Sequence, residues 1–353
     1  MVRRSRAESQ ENNRAKVLAA ARAEFTERGF RDAKIDQIAE RAELTRGAVY
    51  SNFPGKQALY FAVLAEVAEQ AEEPPYPPTA RTAAAALGDF ARAWLGRLPM
   101  ATEEQDSAAR LGRDLLPEIL SGERTSQVYA QLSNLSAVVL GLALENVEPA
   151  AARMVRVAET ALTVLHGAGQ LAAAAPGFGE PFTMVTVCET LAGLDLDDVW
   201  GPPHLPFVPK ARTVDEPWSP PALPDALRAE PARLAGDGVV AVLGLHRLGA
   251  LEEAVRAAPP EGQVTVALVT GTPDELAPLA RLVVTELRTG LRAAFPAAAR
   301  PRLQLVHDDA GALAAAAGLA ACSDATEFAV RVAGGRIVAR ADGYGACYAA
   351  AVG

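Results

Sequence analysis

Within the seven positions from Arg46 to Asn52 stand a guanidinium (Arg46), a phenol (Tyr50), a hydroxyl (Ser51), a carboxamide (Asn52) and a glycine (Gly47). On the outer side of one short helix this set suits a DNA groove. The arginine can fork onto a guanine edge, hydroxyl and amide groups take bases or phosphates, and glycine lets the backbone come close. The elements that must hold these groups are legible around them. Ile38, Ala39, Ala42 and Val49 put small apolar groups on the inner side of two short helices. Glu43-Leu44 makes the turn between them, Thr45 caps the second helix by accepting from its free amides, and Phe53 with Pro54-Gly55 ends it. Ahead lies a helix with Val17, Leu18, Ala21 and Phe25 at helical spacing and Gly29 as its stop. Behind, Leu59, Tyr60, Val63, Leu64 and Val67 mark a lever helix joining this head to the rest of the chain.

The segment Ala15 to Tyr60 resembles the DNA-binding domain of the TetR family of transcriptional regulators. The resemblance rests on Ala21, Phe25, Gly29-Phe30, Ile38-Ala39, Ala42, the run Thr45-Arg46-Gly47-Ala48-Val49-Tyr50, Phe53, Lys56 and Leu59. It implies DNA contacts from Lys34, Thr45, Arg46, Gly47, Tyr50, Ser51, Asn52 and Lys56. Two positions depart from the family pattern. Glu43 stands where a turn glycine is usual, a poorer residue if φ must be positive there. Ala33-Lys34 replaces the usual Thr or Ser before the second helix, so the phosphate contact passes to the Lys34 ammonium.

The net charge of −9 divides unevenly: residues 1–56 hold twelve Lys or Arg against eight Asp or Glu, +4, which leaves −13 for the remainder. The basic part is the part with the motif, and the acidic remainder should turn away from DNA. Half of the 353 residues are apolar, enough for two or three cores. With no run of about eighteen uninterrupted apolar residues and no apolar core in the basic N-terminus, a soluble cytoplasmic protein without membrane contact is expected. Cys188, Cys322 and Cys347 form no CxxC and have no histidine at metal spacing, so buried inert thiols, no metal, no cofactor and no catalytic residue are expected.

The domain reading is a basic arm at 1–11, near phosphates or merely solvated; a helix-turn-helix head at 12–58; an all-α body at 59–200; a proline-rich connector at 201–235; and an α/β domain at 236–353. In the body about five helices alternate with breaks such as Ser121-Gly122 and Glu148-Pro149. The helices 150–175 and 182–194 are rich in small and apolar residues, which suits a two-fold interface or burial within one subunit; the resemblance decides for a homodimer. It also implies a small-molecule effector between the middle helices, for which Trp94, Arg113, Tyr129, Asn134 and His166 are the candidate lining residues. Nine prolines between 201 and 231 exclude helix and central strand.

From Val239 onward, apolar strands (239–243, 264–269, 302–307) alternate with helices, then a hairpin turns at Gly334-Gly335 before a last helix. This predicts a three-layer α/β sandwich. Glu327 to Arg331 with Gly335 to Gly343 resembles a thioredoxin-like domain of the peroxiredoxin-related kind. Yet the turn Gly244-Leu245-His246-Arg247 holds no sulfur, and Asp324-Ala325-Thr326 stands where a cis-proline is usual. A domain kept for contact or binding follows, with His246 and Arg247 at a helix start as an alternative anion site. The expected function is a ligand-responsive regulator, a repressor, on a palindromic DNA operator. Two other readings are a redox sensor using Cys322 and Cys347, and an enzyme working from the α/β domain.

Overall fold

The computed structural model describes residues 6–71, 77–97, 111–149, 153–175, 177–203, 208, 210–259 and 262–352. The head begins with α1 (Arg6–Asp32), whose regular run is interrupted at Gly29, φ +74°. The basic arm expected over 1–11 is thus shorter: residues 6–11 are the first turns of α1, where Glu8 meets the positive end of the helix dipole, and residues 1–5 lie outside the described residues. α2 (Ile35–Arg41) and α3 (Arg46–Tyr50) follow, and α4 (Lys56–Glu69) leaves the head. Glu24, fully buried, sits 3.2 Å from Arg28 and 3.1 Å from Arg41, which ties α1 to α2 by charge. The ring of Tyr60 on α4 meets Phe25 edge-on at 5.3 Å and Phe30 at 5.0 Å.

The body comprises α5 (Ala83–Leu95), a 3-10 turn at Gly112–Asp114 running into α6 (Leu115–Leu120), α7 (Glu123–Val147), α8 (Val155–Ala174) and α9 (Pro181–Leu191). Hydrogen bonds latch it to the head: Phe30 N donates to Asp114 Oδ2 (2.7 Å), Gln57 Nε2 to the Glu118 carbonyl (2.8 Å) and to Ser121 Oγ (3.2 Å), and the Tyr60 hydroxyl to the Leu111 carbonyl. α7 is long and apolar enough to cross a membrane by length and composition, and 67% of that window is buried inside this fold. It is a core helix here. α7 and α8 approach closely at Gly141, where an added Cβ would lie 2.7 Å from the Val155 Cα.

The α/β part is a six-stranded mixed sheet, with strand order β1-β8-β7-β4-β5-β6. β4 (Gly238–Gly244), β5 (Gln263–Val269) and β6 (Leu303–His307) run parallel; β7 (Glu327–Ala333) and β8 (Arg336–Asp342) form the antiparallel hairpin, turning at Gly334 and Gly335 with φ +57° and +72°. Two positive φ values in a two-residue turn need glycine and match the strand twist. β4 to β5 to β6 advances in one direction. Right-handed crossovers therefore put α10 (Ala250–Ala257) and α11 (Pro273–Ala294) on one face, where α13 (Ala346–Val352) joins them. Val239, Ala241 and Leu243 point to that face, while Val240 and Val242 point to the other.

That other face departs from the expected sandwich. Beside the short α12 (Ala312–Ala316) it is covered by Trp218, Leu223, Ala232 and Leu234, from the segment expected as a connector. Residues 212–234 therefore belong to the α/β part. β1 (Arg212–Pro217) pairs with β8 alone, and β2 (Pro224–Asp225) with β3 (Glu230–Pro231) makes a two-residue ladder. Proline forbids a central strand but not an edge or a strand end, and those are the places the chain uses. Trp218 is buried with its Nε1 donating to the Leu234 carbonyl at 2.7 Å.

The same layering weighs against a disulfide between Cys322 and Cys347 of one chain. Cys347 is fully buried in the cluster on the α10/α11/α13 face, and Cys322 packs against the cluster on the opposite face, so the sheet separates them. Burial raises both thiols, most strongly Cys347, which disfavours the thiolate that disulfide exchange needs.

Candidate nucleic-acid interface

The interface is built from α3 outward. Thr45, in extended conformation, accepts from Ala48 N at 3.2 Å, so the predicted cap is made. Val49 is buried and faces the core, which leaves Thr45, Arg46, Gly47, Tyr50 and Ser51 exposed on the other side. Arg46 Nη1 lies 3.3 Å from Asp36 Oδ1 of α2, and its guanidinium stands 5.5 Å from the centre of the Tyr50 ring. Its side chain remains 61% exposed, so it is aimed but not used up. Hydrogen bonding to Tyr50 and the Asp36 charge raise its already high pKa. It carries a full positive charge at any working pH. Lys34, in extended backbone before α2, is also exposed.

Three of the predicted contacts do other work. The Lys56 ammonium donates to the carbonyls of Arg31 (3.2 Å) and Ala33 (3.0 Å) and sits 4.4 Å from the centre of the Phe30 ring. It holds the end of α1 where helix carbonyls run out of partners. Ser51 and Asn52 both turn their side chains back to the Ala48 carbonyl, at 2.9 and 2.8 Å. Two residues that sequence reasoning passed over enter here. Asp36 orients Arg46, and Arg14 of α1 lies 4.3 Å over the Phe53 ring and donates to the Asn52 carbonyl at 3.2 Å. Nothing in the local sequence marks these pairings, which span ten and thirty-eight positions. Glu43 has φ +56°, so the turn demands the left-handed conformation that the missing glycine would have favoured.

The candidate effector residues separate into two groups. The His166 ring meets Trp94 edge-on at 4.7 Å and Tyr129 at 6.1 Å, with Nδ1 2.7 Å from the Leu162 carbonyl. Arg113 and Asn134 are exposed and take no part in this cluster. Glu286 on α11, a residue of the α/β part, lies near enough to interact by charge with His166 and Tyr129. Burial pushes its carboxyl up, while Arg97 and His166 favour its charged form. Burial, then the Glu286 charge, raises the Tyr129 hydroxyl. The Trp94 Nε1 is buried with no hydrogen-bond partner among the described residues. At the alternative anion site Arg247 is taken up, its Nε donating to Glu327 Oε2 at 3.0 Å, while the buried His246 Nε2 has no hydrogen-bond partner among the described residues. Among the described residues no group of three or more His, Cys, Asp or Glu has metal-holding geometry. An open groove of ≈ 480 Å³ lies elsewhere, along the outer side of α9, lined by Phe182, Thr186, Val187 and Leu191.

Comparison with known proteins bears on the head. Residues 17–63 match the family described as bacterial regulatory proteins, tetR family. The HTH-type transcriptional regulator SrpR of Pseudomonas putida is 46% identical over 65 residues, 18% of this chain and 30% of that protein. The uncharacterized HTH-type transcriptional regulator TtgW, also of Pseudomonas putida, is 46% identical over 65 residues, 18% of this chain and 48% of its own length. The chain thus spans less than half of the length of these relatives. A solved TetR transcriptional regulator from Rhodococcus sp. RHA1 aligns over 52% of this chain and 95% of its own at 15% identity, with a TM-score of 0.35. The capped α3 lies inside the matched segment: residues 17–63 are a domain similar to that of the tetR family of bacterial regulatory proteins.

Proposed function

We propose that the protein is a cytoplasmic transcriptional regulator, a repressor, which binds a palindromic duplex operator as a homodimer and leaves it when a small-molecule effector binds. The carrying observation is the exposed Arg46, held by Asp36 and Tyr50 on a helix capped by Thr45. Lys34 and Gly47 add contacts, while Ser51, Asn52 and Lys56 brace the head. A second copy has a surface to bind: Phe182, which lines the α9 groove, is 76% exposed, and Leu171 near the end of α8 and Phe178 between α8 and α9 are exposed at 49% and 68%. Pairing there repeats the head, and two reading helices set roughly 34 to 36 Å apart, or a multiple, require a two-fold operator. The effector's contacts are Trp94, Tyr129 and His166. In the α/β part, neighbouring strands β8, β7, β4 and β5 with a closing hairpin support a thioredoxin-like reading, stripped of thiols at Gly244 to Leu248.

The test is a duplex selected from a random pool by the full-length protein. Arg46→Ala is expected to weaken binding of that duplex by about 1–3 kcal/mol, roughly 5- to 150-fold, and to flatten the base preference at one position per half-site. Unchanged affinity and preference would remove the assignment of α3. Phe182→Glu is expected to give a monomer in sedimentation; an intact dimer would move the interface elsewhere.

A further inference from the structure

The lever helix α4 is buried at eight successive positions, Ala58 to Ala65. A helix resting on one neighbour buries a stripe, so an unbroken run means that it is covered all round. One cover is α1 of the head; the other, more extensive, is α11 of the α/β part. α11 buries thirteen of its twenty-two residues, because it lies between the sheet on one side and α4, α5 and α7 on the other. Its fit against α5 leaves no slack: a Cβ on Gly290 would lie 2.5 Å from the Phe90 ring. One continuous apolar cluster runs from Val17, Phe25 and Ile38 of the head through Leu287 of α11 to Val239 of β4.

Charge fastens the same seam at both ends. Near the head, Arg124 at the start of α7 donates to Asp324 (2.6 Å) and Thr272 (2.8 Å) and lies 3.3 Å from Glu275. Asp324 also accepts from Gly271 N at 3.2 Å and from the Thr270 hydroxyl. At the far end Arg256 pairs with Glu145 at 2.6 Å, and Arg153 with Glu252. Arg14, which packs on Phe53 behind the reading helix, feels the charges of Asp274, Arg281 and Asp309 of the α/β part.

We propose that the α/β part is a regulatory domain acting on the head in cis, with α11 gripping α4 so that any shift of the sheet layer moves the reading helix. The body cluster then senses the effector with Glu286 of the same helix, so both inputs meet on α11. This rests on the head being a DNA reader, but its main readout does not. The full-length protein is compared with Arg124→Gln, a mild change at a half-exposed side chain, and Gly290→Ala, a steric wedge, by amide hydrogen exchange. The expected result is at least tenfold faster exchange at Ala58 to Ala65 and across 35–53, rising together with α11, plus at least a fivefold change in affinity for the selected duplex. Should α11 loosen in Arg124→Gln while Ala58 to Ala65 and 35–53 keep their rates, the α/β part is only an appendage and the proposal fails. Coupled exchange overturns nothing if no duplex is ever selected; that outcome strikes the DNA reading and leaves the seam intact.

Discussion

Two helices make opposite use of their side chains. α3, five residues long, works through what it leaves exposed: Arg46, Tyr50 and Ser51 are anchored by one buried valine and one cap. α11, twenty-two residues long, works through what it hides, and its partners come from segments up to about two hundred positions away. The exposed helix carries chemistry and little stability. The buried one carries stability, and through it the relation between the two halves of the molecule. A mutation in each should therefore fail in a different measurement.

The sharpest version of that contrast is Leu287→Ala. Leu287 is 3% exposed in the cluster shared by head, body and sheet, and its truncation should cost about 2–5 kcal/mol. Because the cluster is continuous, thermal unfolding of this variant is expected as one transition, followed alike by helix signal and by Trp218 fluorescence. Two separated transitions would break the comparison, since α11 would then stabilise the α/β part alone. Arg46→Ala is the counterpart: its loss appears in duplex affinity, while stability stays within about 0.5 kcal/mol, as for an exposed position with one weak ion pair.

This contrast also explains what was legible beforehand. The head could be read because its determinants are local: Thr45 caps three positions on, and Val49 marks the inner face of α3. The order of strands and helices in the α/β part was equally legible, since apolar strands and a Gly334-Gly335 turn are local signals. Burial of a helix by two partners is a relation between distant segments, and only the breadth of apolar positions on Pro273–Ala294 hinted at it. Similar limits divided the effector candidates. Asn134 lies five residues beyond Tyr129 on α7, about 140° round the helix, so one faces solvent when the other faces His166. The proline-rich segment read as a connector because composition excludes a central strand but cannot show an edge strand being used.

A third, smaller test lies inside the α/β part. Glu253 is half-buried, and its carboxyl is pushed up to about 7 by burial first and then by Glu327, against the pull of Arg247. The folded state thus prefers the protonated acid. This contribution is fully present below the ordinary carboxyl value of 4.5 and is lost as pH rises towards about 7. Allowing for its partial exposure, about 1–2 kcal/mol of stability should disappear across that window. Glu253→Gln is expected to remove that slope from chemical denaturation measured at pH 5 and pH 8. If α11 couples the halves, the slope is seen by head and sheet probes alike; a slope confined to sheet probes would weaken the coupling.

The smallest effect belongs to the turn before α3, where Glu43 holds φ +56°. A side chain in the left-handed region costs about 1 kcal/mol that glycine does not incur, though glycine gives part of this back as extra freedom in the unfolded chain. Lys16 approaches Glu43 at 3.9 Å, but Glu43 is 85% exposed, so that pair contributes little. Glu43→Gly should therefore stabilise the head by up to about 0.5 kcal/mol. It should also slow amide exchange at Leu44 to Val49. Glu43→Ala removes the same charge while keeping the strained backbone, and is expected to bring no gain. Equal gains from both would trace the effect to charge rather than conformation, and would mean that the reading helix is set by electrostatics where the structure argues for backbone geometry.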